Sequence, residues 1–180
     1  MTTDSANGTE TSTDSLDGTI WSLVDGCLSG ITCEPERGAQ DLIVKIPKDE
    51  LKRGLRALKD HVQLSFDYLR CLSGIDWEDE GIDVVYHLYS STSGNNLTVK
   101  TRLTNDDLAV DTATDIWRAA NWLERETAEM FGVRFEGHPD PRTLLLPDDM
   151  DDTFPLRKEH PLAEIEVLQG EGVAYGEGVQ

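Results

Sequence analysis

The chain has 180 residues, 38% of them apolar, and carries 35 acidic against 16 basic side chains for a formal net charge of −19. That length and apolar fraction suit one modest core, and the acidic balance excludes nucleic acid as a partner, because phosphates need a basic face. No apolar run approaches the roughly 18–20 residues of a membrane helix, so any membrane association is expected through partners.

Residues 1–15 are rich in Ser, Thr and Asp and carry neither a basic nor an apolar stretch. They read as a disordered acidic tail rather than a secretory leader. Asp17 is placed to cap a helix whose Ile20, Leu23, Val24 and Leu28 recur at helical spacing. Residues 41–46 predict a strand that Pro47 closes. A helix should follow, with Leu51, Leu55 and Leu58 inward and Lys48, Lys52, Arg56 and Lys59 solvated. Residues 66–72 read as a strand, and 82–89 with 97–103 as a hairpin. In its second strand Leu97, Val99, Thr101 and Leu103 alternate with Thr98, Lys100 and Arg102. His87 falls on the first strand and is expected to pack or hydrogen-bond in the sheet. A helix beginning near Thr114 or Asp115 should run to Gly132, where a left-handed cap is expected, with 133–135 extended after it. Residues 16–146 thus form an α+β domain, mainly an antiparallel sheet with flanking helices. Residues 147–180 form an extended, loop-rich acidic C-terminal segment.

The charge is unevenly placed. Residues 1–18, 147–152 and 163–180 contain no Lys or Arg and account for 12 of the 19 net charges. Two readings stay open: solubility, including adaptation to high salt, or docking onto basic partner surfaces.

Chemistry is scarce. Cys27, Cys33 and Cys71 read as reduced thiols, too few and too scattered for an iron–sulfur cluster. His61, His87, His138 and His160 form no ligand pair on a helix, and no Glu-x-x-His occurs. Glycine-rich phosphate loops are missing as well. No metal, cluster or nucleotide site is expected in this chain.

The most ordered pattern lies between Trp122 and Arg142. Glu124, Arg125, Glu126 and Glu129 crowd the last turns of the predicted helix, and Arg125 and Glu129, four apart, can pair on one face. Glu124, Glu126 and Glu129 could serve as acid and base only if their environments split their pKa values; a solvated, salt-bridged helix face is the commoner outcome. Trp117, Trp122, Phe131 and Phe135 are either core or a partner-facing aromatic patch. Gly137-His138-Pro139 and Pro141 should make a rigid turn with His138 and Arg142 at its rim. The planar fork of Arg142 suits a carboxylate, either Glu126, Glu129 or an acid on a partner.

This block resembles the C-subunit signature of the proton-pumping NADH:quinone oxidoreductase, respiratory complex I, and of its relatives in membrane-bound hydrogenases. The matching positions are Glu124, Arg125, Glu126, Glu129, Met130, Phe131, Gly132, Val133, Phe135, Gly137, His138, Pro139 and Arg142, continued by Leu144, Leu145, Asp148 and Asp149. The likeness runs from about Phe66 to Leu162. It departs at Met150, where the family has Trp, in a slightly longer stretch before Phe154, and at His160, where an aromatic residue is usual.

The resemblance implies a non-catalytic, cofactor-free subunit of a peripheral arm. NADH, FMN, iron–sulfur clusters and quinone would belong to other chains of the complex. Its implied neighbours are the quinone-site subunit related to the hydrogenase large subunit and the small subunit that holds the terminal iron–sulfur cluster. They would meet at Glu124, Arg125, Glu126, Glu129, His138, Pro139, Arg142, Arg157 and Lys158, on the cytoplasmic face of the cell membrane. The alternatives are the homologous subunit of a membrane-bound hydrogenase, or of a dehydrogenase fed by another donor. A remote one is a free-standing hydrolase built on Glu124 and Glu126.

Overall fold

The computed structural model describes residues 13–38, 42–147 and 153–159. Most of the predicted N-terminal tail and most of the C-terminal segment lie outside these residues. In chain order the elements are α1 (Thr13–Cys27), β1 (Glu34–Arg37), β2 (Leu42–Lys45), α2 (Lys48–Asp60), β3 (Tyr68–Asp76), β4 (Ile82–Tyr89), β5 (Asn96–Leu103), β6 (Ala109–Asp111), α3 (Ala120–Phe131) and β7 (Arg134–Glu136). The first helix starts at Thr13, so it takes in the end of the segment read as tail, and Asp17 lies inside it rather than capping it.

The main sheet has the order β1-β2-β5-β4-β3. Three of its pairings are antiparallel, while β2 runs parallel to β5 in the register Leu42 to Leu97 and Val44 to Val99. The class is therefore α+β with a mixed sheet. The predicted hairpin forms as β4 and β5, pairing Ile82 with Leu103 through Tyr89 with Asn96. On it, His87 Nδ1 lies 3.1 Å from Thr98 Oγ1, in the cross-strand role expected of it. The parallel pair needs a crossover, and α2 begins it after Pro47, which presets φ for a helix start.

The amphipathic stripe of α2 buries Leu51, Leu55 and Leu58 as predicted. Gly54 lies on the same face, where an added Cβ would come within 2.8 Å of Ile46 Cδ1, so helix and strand approach closely. At the other edge the end of α3 packs on β3. There an added Cβ on Gly74 would lie 2.6 Å from the Phe131 ring. The core joins Val84, Tyr86, Leu88, Leu97 and Val99 of the sheet to Leu51, Leu55 and Leu58 of α2, and continues through Trp117, Ala120 and Phe131.

Two short strands were not expected from the pattern, because three or four residues carry too little periodicity. The first is β1, and the second is β6, which pairs in parallel with β7. The third helix also starts later than its spacing suggests. Residues 112–119 precede it in turns, Ile116 and Trp117 both donating to the Ala113 carbonyl, and the helix itself spans Ala120–Phe131.

Candidate functional site

Along α3 the inward positions are Ala120, Glu124, Thr127 and Phe131, three or four apart. Glu124 thus occupies a core position of an otherwise apolar or small stripe, and its side chain is fully buried. Its carboxyl accepts the Thr112 hydroxyl on Oε2 (2.5 Å) and the Ala113 amide on Oε1 (2.6 Å). Those two hydrogen bonds tie residues 112 and 113 to the helix. Burial pushes the Glu124 carboxyl up to about 7, against the lowering effect of Thr112 and Ala113 and of Lys52 further off.

His138 closes the same site from the other side. Its ring Nδ1 accepts the Asp140 amide (3.0 Å), and Nε2 donates to the Asn121 carbonyl (3.1 Å). Nε2 stands 3.9 Å from Glu124 Oε2. The neutral tautomer with hydrogen on Nε2 satisfies both bonds. The expectation that His138 stands at the rim of the turn is therefore corrected: its side chain is 3% exposed. Pro139 and Pro141 do lie on the exposed outside of the turn.

The helix-end carboxylates do not form a solvated face. Glu129 is buried and accepts the amides of Leu144 and Leu146 on Oε1 and of Leu145 on Oε2, at 2.9–3.0 Å. Burial alone would raise its carboxyl, but these three amides and the Arg125 charge outweigh that and hold it below the usual range. Arg125 likewise turns from its i+4 neighbour to the loop, donating to the carbonyls of Arg142 (2.7 Å) and Thr143 (2.8 Å). Its guanidinium lies 5.2 Å from the centre of the Trp122 ring. A carboxylate matched to three amides and a guanidinium matched to two carbonyls give charge-assisted bonds, stronger than the predicted side-chain pair in water. Only Glu126 of the four charged residues behaves as a solvated position.

Arg142 does not reach Glu126 or Glu129. It makes a two-pronged pair with Asp140, Nε to Oδ1 at 2.6 Å and Nη2 to Oδ2 at 2.8 Å. The hydrogen bonds from Arg142, then its charge, hold the Asp140 carboxyl down at about 2. The spacing Pro139-Asp140-Pro141-Arg142 carried that signal: two prolines fix the backbone so that residues two apart can face each other.

Arg157 and Lys158 return to the same end of the molecule. Gly132 has φ 73°, the left-handed cap that the sequence predicts. Arg157 Nε donates to the Phe131 carbonyl (2.8 Å) at that cap, and its guanidinium stacks on Phe154 at 4.5 Å. A cation at the negative end of a helix is favourable on both counts. The Lys158 amide donates to Asp76 and its Nζ to Glu78.

Of the aromatic set, Trp117, Phe131 and Phe135 are core, and Trp117 donates to the Phe66 carbonyl at 3.1 Å. Trp122 is exposed. Sequence reasoning missed Thr112, Asn121 and Tyr86. The Tyr86 hydroxyl is buried without a hydrogen-bond partner among the described residues, and burial, then the Glu124 charge, raises it well above 10. A cavity of about 250 Å³ adjoins this cluster, lined by Glu124, His138, Ala128, Phe135, Pro141 and Phe154 among others.

The arrangement holds parts together: two carboxylates, two guanidiniums and one imidazole each bond to backbone of another segment. Residues 44–166 match the model of the family described as respiratory-chain NADH dehydrogenase, 30 Kd subunit. The chain belongs to that family. It is 41% identical to an NADH-quinone oxidoreductase subunit of Chloroherpeton thalassium over 60% of this chain and 45% of that protein. It is 34% identical to NADH-quinone oxidoreductase subunit 5 of Thermus thermophilus over 76% of this chain and 70% of that protein. The match thus spans about half the length of the Chloroherpeton relative. Among solved structures, a chain of the membrane-bound sulfane sulfur reductase, an archaeal respiratory membrane complex, superposes with a TM-score of 0.70 at 26% identity, covering 90% of this chain and 97% of that one. A trypsin-resistant fragment of Nqo5 superposes at 0.56 with 28% identity, covering 68% of this chain and 97% of that one. No described helix is long and apolar enough to cross a membrane.

Proposed function

We propose that this chain is a non-catalytic structural subunit in the peripheral arm of a proton-translocating NADH:quinone oxidoreductase. It binds no cofactor itself. It stands against the quinone-site subunit related to the hydrogenase large subunit and the small subunit that holds the terminal iron–sulfur cluster, on the cytoplasmic face of the membrane. NADH, FMN, clusters and quinone are handled by other chains. The observation that carries this reading is the use made of the charged block. Glu124, Arg125, Glu129, His138 and Arg157 all hold backbone of neighbouring segments, so the hydrogen bonds of the chemistry-bearing side chains, including those that border the cavity, go into shaping the chain itself. Of the nine residues expected at the partner interface, Glu126, Pro139, Arg142 and Lys158 stand at the surface. The other five support it from beneath.

The test is assembly and turnover of the whole complex. Membranes from cells lacking this chain should lose NADH:quinone reduction and leave the quinone-site and cluster subunits uncoupled, and the full chain should restore both. A complex that assembles and turns over without it would sink the reading, as would turnover of any substrate by the purified chain. The superposition on the sulfane sulfur reductase chain favours one second reading, a respiratory membrane complex with a different donor or acceptor. Co-purifying subunits separate the two.

A further inference from the structure

Two large apolar side chains face solvent beside the loop of residues 142–146. Trp122 is 60% exposed and Leu145 is 61% exposed. Arg125 links them: its guanidinium lies over the Trp122 ring while donating to the Arg142 and Thr143 carbonyls. Glu129 then accepts the amides of Leu144, Leu145 and Leu146. Five hydrogen bonds from two largely buried side chains therefore fix a loop that contributes an outward-facing leucine.

The core does not need Leu145, yet its position is set before any partner arrives. A group ordered in advance binds without the entropy cost of immobilising a mobile loop. Tryptophan is among the side chains over-represented where binding energy concentrates, in pockets that exclude water, and Leu145 would add buried apolar area beside it. Charge selects the occupant. Glu126 is exposed one turn beyond Trp122 and Arg118 one turn before it, and Arg142 is neutralised by Asp140, so the patch itself is nearly balanced and it is the −19 of the whole chain that selects by charge. A second copy would bring −19 against −19, so self-association is opposed, whereas a basic surface is attracted.

We propose that Trp122 and Leu145, held in place by Arg125 and Glu129, anchor a docking surface for a protein partner that offers an apolar hollow rimmed by Lys and Arg. This rests on the reading of the chain as a subunit of a larger assembly, and it specifies which side chains touch the partner and which only position them.

The test uses the tagged full chain in its own cells, with a benzophenone amino acid replacing Leu145 and, as a control, Val62, which is 89% exposed on the loop after α2. Illumination should join position 145 to one partner protein, at a peptide with apolar residues flanked by Lys or Arg. Trp122→Ala should lower recovery of that partner at least about tenfold, Leu145→Ala should do so by about tenfold through lost apolar burial, and Val62→Ala should not. The purified Leu145→Ala chain should melt as the parent does, since that side chain is exposed, and Trp122→Ala should melt only slightly lower, having lost its contact with Arg125. A crosslink only to a second copy, to this chain itself, to lipid or to an acidic surface overturns the proposal. So does parent-like recovery of the partner by both variants. If the parent chain recovers no respiratory subunit, the assignment to that complex fails; if it recovers them and both variants do so equally, only the docking anchor fails.

Discussion

At the scale of single residues, the least expected feature is a carboxyl group buried on the apolar stripe of a helix. Because the folded protein holds Glu124 at about 7 against an ordinary 4.5, folding favours its protonated form. The sign follows: the stability is fully present below pH 4.5 and is lost as pH rises through 7. The loss should come to roughly 3 kcal/mol at 1.36 kcal/mol per unit. Glu124→Gln keeps an acceptor for the Ala113 amide and a donor towards Thr112, so its stability should stay level between pH 5 and 8. Denaturant midpoints of both proteins across that range check this, and equal slopes would contradict it. Arg142 gives the opposite case. Its pair with Asp140 is solvent-exposed, with the Arg142 side chain at 80%, and exposed pairs add little to stability. Arg142→Ala should leave the melting curve of the free chain almost unchanged, while the Asp140 carboxyl climbs from about 2 towards its ordinary range, as carboxyl NMR titration would read. A large drop in melting temperature would mean that Arg142 has a structural role beyond that pair.

At the scale of elements, α3 is the piece around which the site is arranged. Its inward stripe meets β3, its middle holds residues 112–113 and its outer charged residues hold residues 142–146. Its C-terminal cap is a second constraint. Gly132 is left-handed, and an added Cβ would meet Arg157 Nη2 at 2.5 Å and Phe154 Cζ at 2.9 Å. Gly132→Ala should therefore cost about 1–2 kcal/mol from the backbone alone, with a further loss as Arg157 and Phe154 are displaced. A denaturant titration measures the sum. Faster hydrogen exchange at the Leu156 amide, which donates to the Met130 carbonyl at 3.2 Å, would report the detached segment. Unchanged exchange there would show that residues 153–159 hold on without the cap.

At the scale of the whole molecule, charge dominates. A chain with a formal net charge of −19 repels itself in the compact state, although paired groups such as Arg56 with Asp115 and Lys45 with Glu36 offset part of this locally. Added salt shortens the range of that repulsion to about 10 Å at 0.1 M. The melting temperature should rise steadily as sodium chloride is added from low ionic strength, and association with a basic partner should slow over the same range. A melting temperature that falls with salt would show that local ion pairs outweigh the net repulsion.

The amino-acid sequence by itself determined the periodic elements and the family. The stripe Leu51, Leu55, Leu58 and the alternation from Leu97 to Leu103 repeat over enough residues to fix helix and strand without reference to the rest of the fold. Gly132 announced its cap because few other residues tolerate that backbone. The spaced block from Glu124 to Arg142 carried the resemblance that the family match bears out. Only the tertiary structure decided what the charged residues do. Spacing made Arg125 and Glu129 a pair, but each found better-matched backbone partners on a loop 15–18 residues further on. Glu124 found Thr112 and Ala113 some 11–12 residues before it. Spacing reports neighbours within one helix; burial beside another segment's unpaired amides and carbonyls is a long-range fact. The parallel pairings of β2 with β5 and of β6 with β7 were hidden for the same reason, since strands a few residues long show no preference for a partner until the core between them has formed.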